Sequence, residues 1–197
     1  MITLITELFG SVLILFMAHY CGKSLAVFQA SKKVTWASYL FSCLSVVLFP
    51  FWTTLLLMYL LVQAFSDAKD GMVDVALNLQ ANAILSAALL SLYPKPSGMV
   101  FLTGFFVFLY VTRNIFSTGD QKGLFAIALW GAIYLLRGTG IFSSGAYLPI
   151  PMCYGLLVAF LGVCLFGLCT KKRYDIPLFP WLWFGMTTVS GAMKFLA

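Results

Sequence analysis

The sequence predicts an all-α fold, a polytopic helical membrane protein of about eight segments. Three observations carry that expectation. The chain of 197 residues is 62% hydrophobic and only 9% charged, and its mean hydropathy is +0.99, more apolar surface than a soluble domain of this size needs. Lys95 is the only charge between residues 75 and 112, and Arg137 is the only one between residues 123 and 170. The short alternating segments that would build a transmembrane β-barrel are absent.

Apolar runs fall at 3–22, 35–49, 51–66, 76–92, 97–116, 122–137, 147–169 and 177–196. The first, "MITLITELFGSVLILFMAHY", lacks a basic leader and carries Glu7, so it reads as an uncleaved span. The second and third meet at "LFPFW" (48–52), where Pro50 either turns the chain between two short spans or kinks one long helix. Charge decides between them. With a turn at Pro50 and an external N-terminus, Lys23, Lys32, Lys33, Lys69, Arg113, Lys122, Lys171, Lys172 and Arg173 fall inside, and only Lys95, Arg137 and Lys194 fall outside. One kinked span would instead divide the 12 basic residues evenly. The positive-inside rule favours the turn.

The later connections "YPKPSG" (93–98) and "RGTGIFSSGAYLP" (137–149) carry the proline and glycine signals of external loops. Trp36, Trp52, Trp130, Trp181 and Trp183 stand near span ends, where interfacial anchors sit. No repeat or linker divides the chain, so residues 1–197 read as one membrane domain.

The net charge of +6 does not point to nucleic acid, because the basic residues mark short connections between apolar runs. Cys21, Cys43, Cys153, Cys164 and Cys169 form no CxxC pair, and His19 is the only histidine. Neither a zinc centre nor a Ser/His/Asp triad can be assembled from that set, and no cofactor is expected.

Chemistry is left to six carboxylates: Glu7, Asp67, Asp70, Asp74, Asp120 and Asp175. On the favoured topology all five aspartates lie at the inner face. Asp120, ahead of "QKGLFAIALW", suits a helix cap. Asp67 ends a helix, where the dipole disfavours negative charge, and a cap explains it less well. Two carboxylates held close share a proton, so one serves as base and the other as acid. Such a pair activates water against a peptide carbonyl and protonates the leaving amine without a metal.

These residues resemble the type IV prepilin peptidases, membrane aspartyl proteases of the GxGD type. Three elements carry the likeness: "SDAKD" with Asp67 and Lys69, "TGDQK" with Gly119, Asp120 and Lys122, and "IPLFPWLWFG" with Ile176, Pro177, Pro180 and Gly185. Their order and spacing also match. The likeness covers residues 51–197 as a peptidase-like core of six helices, with residues 1–50 as N-terminal helices outside it.

The resemblance implies an endopeptidase that cuts the basic leader from prepilins or pseudopilins at the cytoplasmic face of a bacterial inner membrane. Asp67 and Asp120 would be the catalytic pair. Gly119 would let the backbone pass close to substrate or to the other aspartate. Pro177 and Pro180 would shape an irregular start to the last helix beside the site, or act simply as helix-start prolines. Lys122 reads as an orientation determinant. Asp70 and Asp74, with Asp175, would attract the basic leader by charge complementarity.

The sequence departs from the family pattern in three places. Ser117 stands where the first motif glycine would be, no proline follows Asp67 closely, and the paired CxxC motifs of the longer members are missing. Peptidase activity is therefore implied, and methylation of the product is not. Two rivals from other classes stay open: a transporter relaying protons through paired aspartates, and a non-catalytic assembly subunit that uses them as caps.

Overall fold

The computed structural model describes residues 40–41, 44–45, 48–71, 73, 75–91, 96–137, 150–170 and 176–196. Among these residues every regular element is a helix: α1 (Phe51–Asp70), α2 (Val75–Ser91), α3 (Pro96–Val111), α4 (Thr118–Arg137), α5 (Ile150–Thr170) and α6 (Phe179–Leu196). The expected first span lies outside the described residues, as do Glu7, His19, Cys21, Trp36, Cys43, Asp74, Lys95, the stretch 138–149 and the segment 171–175 with Asp175.

The chain reverses at Pro50. Its ψ of 151° breaks the helical path, and α1 starts immediately after it. Phe41 packs on Met58 and Leu61 and meets the Trp183 ring edge-on at 5.3 Å. On a single kinked helix, residues 41 and 58 would stand about 25 Å apart. Thr54 Oγ1 also donates to the Ser45 carbonyl at 3.0 Å, tying the two arms across the turn. The reading from basic-residue placement and the packing agree here.

Two helices form the centre. Side chains of α1 from Leu55 to Ala64 are nearly all buried, as are those of α4 from Leu124 to Ile133, apart from the half-buried Phe125. α1 packs against α4 and α6, α4 packs against α2 and α3, and α6 packs against α5. Trp130 belongs to this centre. It is 2% exposed, and its Nε1 donates to Thr53 Oγ1 on α1 at 3.2 Å. The expectation of an interfacial anchor fails at that residue, because helix packing supplies a buried acceptor that the sequence does not reveal.

α5 and α3 sit at the rim. Leu157, Leu161, Leu165 and Leu168 of α5, with Phe106, Val107 and Tyr110 of α3, face outward. α1, over Phe51–Ala68, and α5, over Pro151–Thr170, are long and apolar enough to cross a membrane, while α2 and the apolar part of α3 are shorter.

Helix ends differ from the apolar runs in a way that matters for the site. α1 continues past residue 66 through Asp67 to Asp70, and α4 starts at Thr118 so that Asp120 lies in its first turn. α6 starts at Phe179, leaving Ile176 and Pro177 irregular. Polar residues hidden from hydropathy can still be helical when their side chains cap a terminus.

Candidate active site

The C-terminus of α1 and the N-termini of α2, α4 and α6 meet at one end of the bundle, around a cleft of about 670 Å³. Asp67, Gly71, Val73, Asn78, Ser117, Gly119, Asp120, Lys122 and Pro177 are among the residues that line it. Asp67 and Asp120 therefore share one cavity, close enough for the charge of Asp120 to act on Asp67.

Each carboxylate is held by backbone. Asp67 is 7% exposed, and its Oδ2 accepts from the Phe179 N–H at 3.0 Å. Its side chain thus leaves the unfavourable end of its own helix and sits at the positive N-terminus of α6. This resolves why an aspartate is tolerated at the end of α1: the partner is another helix. The end of α1 is closed by Gly71, which takes the left-handed conformation at φ 62° and donates its N–H to the Asp67 carbonyl at 3.0 Å.

Asp120 is half-buried and forms a capping box with Ser117. Ser117 Oγ donates to Asp120 Oδ2 at 2.7 Å, and the Ser117 N–H approaches the same oxygen at 3.2 Å. In return the Asp120 N–H donates to Ser117 Oγ at 3.2 Å. Among the described residues every hydrogen bond to this carboxylate goes to Oδ2. Ser117, the apparent departure from the motif, is thus the residue that orients Asp120. Ser117→Ala is expected to cost about 1 kcal/mol of stability, and Ser117→Gly only a few tenths. Thermal unfolding of the purified variants checks the order, and wild-type stability in both would show that the box contributes nothing.

Gly119 lines the cleft. A Cβ there would stand 3.1 Å from Val73 Cβ, so the glycine lets the connection after α1 settle on the first turn of α4. Gly123, one turn further, makes room for the Phe179 ring: a Cβ would lie 2.3 Å from its Cζ. Backbone approach at these two glycines brings the donor of the Asp67 bond and the Asp120 turn together.

Pro177 lines the cleft, whereas Pro180 sits in the first turn of α6, where a missing N–H costs nothing. Lys122 is exposed at the cleft, and its carbonyl accepts from Asn82 Nδ2 at 3.2 Å. Asp70 occupies the last position of α1. No group of three His, Cys, Asp or Glu converges among the described residues.

Three features of the site lie beyond the motif reading. The Ser-x-x-Asp capping signature at 117–120 and the Asp-Gly helix stop at 70–71 were both readable. Asn78 was not. It is 1% exposed and accepts from the Tyr59 hydroxyl across the α1–α2 interface, a pairing that no local pattern announces.

Comparison of the chain with protein-family models, with curated proteins and with solved structures returned no match.

Proposed function

We propose that this chain is a membrane aspartyl endopeptidase that removes the basic leader of prepilin-like proteins at the cytoplasmic face of a bacterial inner membrane. The observation that carries the reading is the convergence of Asp67 and Asp120, from two different helices, on one cleft. A water between such carboxylates is activated by the ionised one and attacks the scissile carbonyl, while the protonated one gives its proton to the departing amine. The outward leucines of α5 and aromatics of α3 support a lipid surrounding, since water would be a poor solvent for that surface. Eight segments and the inside-facing basic residues complete the proposed topology.

The test is cleavage of a co-expressed prepilin by wild type, Asp67→Asn and Asp120→Asn. Loss in either variant at normal membrane abundance supports the pair, and normal cleavage by both removes it.

Asp70 and Asp74 extend the proposal to substrate capture. Charge reversal at both positions is expected to weaken binding of a basic leader several-fold, read as a rise in KM. An unchanged KM would end that role.

A second reading is favoured by the hydrogen bonds themselves. Both aspartates act as caps, Asp67 for α6 and Asp120 for α4, as a non-catalytic leader-binding or assembly subunit would use them. The transporter reading draws less support, because the aspartates placed in the fold gather at one end of the bundle.

A further inference from the structure

We propose that Asn78 is a substrate-binding residue of the same cleft, its Nδ2 donating to a backbone carbonyl of the peptide lying against Asp67 and Asp120; the inference rests on the peptidase reading above. Asn78 lines the cleft at 1% exposure. The Tyr59 hydroxyl, itself deep in the core, donates to Asn78 Oδ1. An amide is planar, so fixing its oxygen also fixes the direction of its nitrogen.

That nitrogen has no hydrogen-bond partner among the described residues. A buried donor left unpaired is costly, and cores rarely retain one without a use. Tyr59 does not fill the gap, because it binds the oxygen. Asn82, one turn along the same face of α2, spends its Nδ2 on the Asn78 carbonyl at 2.9 Å and the Lys122 carbonyl at 3.2 Å. Its Oδ1 is likewise buried without a donor. Asn78 thus brings one unspent donor to the cleft lining, whereas Asn82 does not line the cleft. A backbone carbonyl, the acceptor that every peptide carries whatever its side chains, is the ligand chemistry that satisfies that donor.

The experiment uses the full chain in detergent and a synthetic peptide spanning a basic leader and its junction. The double variant Tyr59→Phe/Asn78→Leu replaces both ends of the buried bond by apolar groups of similar shape, a change that is close to neutral for folding. It is expected to unfold at the wild-type temperature yet lose about tenfold or more in kcat/KM. Asn78→Asp keeps the size and the acceptor for Tyr59 while removing the amide donor, and it decides the matter if the double variant does not fold. A matching loss is expected there.

Wild-type kcat/KM in the folded variant, beside inactive Asp67→Asn, would mean that Asn78 only packs or holds a water. That result overturns this inference and leaves the peptidase reading standing. A wild-type protein that cuts no leader peptide overturns both.

Discussion

If the chain is the proposed peptidase, Asp67→Asn and Asp120→Asn are each expected to lower leader cleavage by about a thousandfold, the usual contribution of a positioned acid or base, while the protein still folds. The choice of asparagine is what gives the experiment its force. Both aspartates are held through backbone and cap contacts, Asp67 by the Phe179 N–H and Asp120 by Ser117. Asparagine keeps an acceptor oxygen for those contacts and loses only the charge and the ability to take a proton. The charge–dipole part of the two caps is worth about 0.3–1 kcal/mol each, too little to unfold the bundle.

Alanine at the same positions separates the two roles further. Asp67→Ala leaves the Phe179 N–H unpaired in a buried place, at about 1–3 kcal/mol, so its stability falls whichever reading holds. Capping alone predicts that asparagine is mild and alanine harmful, both for stability. Catalysis predicts that the two variants are equally inactive although only one of them is unstable. Rates for the four variants, set beside their unfolding temperatures, therefore tell cap from catalyst. Cleavage at the wild-type rate by both asparagine variants would sink the aspartyl mechanism.

Much of this arrangement could be read from the chain, for physical reasons that can be traced residue by residue. Long apolar runs are obligatory wherever helices face lipid or a helical core, so the six described helices fall where hydropathy places them. Counting basic residues favoured a turn at Pro50 without deciding whether residues 35–66 form one span or two, a long-range signal that needs no contact information. The gathering of the aspartates on one side of alternating spans did not establish that Asp67 and Asp120 meet; their pairing was implied only by the family resemblance. Local pattern could not tell what each carboxylate touches. The Asp67 partner is the amide of Phe179, a residue 112 positions away, and backbone amides carry no sequence signature. Ser117 looked like a defect in a glycine motif because motif comparison ignores that serine is a strong helix cap. Trp130 and Asn78 share one cause: a buried polar group is recognisable only once its partner, Thr53 or Tyr59, is known.

Gly185→Ala is the substitution outside the site with the largest expected cost, about 3 kcal/mol at the upper end of overpacking effects. The reason lies in the seam between α5 and α6. Gly155, Ala159 and Gly162 share one face of α5, and α6 lies against it so closely that a Cβ at Gly185 would stand 2.2 Å from the Gly155 carbonyl oxygen and 3.0 Å from the Ala159 nitrogen. Both are backbone atoms of a helix, so no side chain can swing aside and the helices must part. Small residues at such spacing are what let helix backbones approach in an apolar solvent, where packing replaces the hydrophobic drive. Gly191→Ala in the same helix is the matched control. Among the described residues a Cβ there meets nothing within 4 Å, and the better helix propensity of alanine should make that variant neutral or more stable by up to about 1 kcal/mol. Thermal unfolding of the two proteins in detergent reads the difference directly, and equal stabilities would show that the seam is not close-packed. The consequence for the cleft is mechanical. α6 carries Phe179, whose N–H holds Asp67, and the same helix packs on α1. Parting α6 from α5 presses it toward α1 and shifts that donor, so the proposed leader cleavage should fall with stability in Gly185→Ala and stay unchanged in Gly191→Ala.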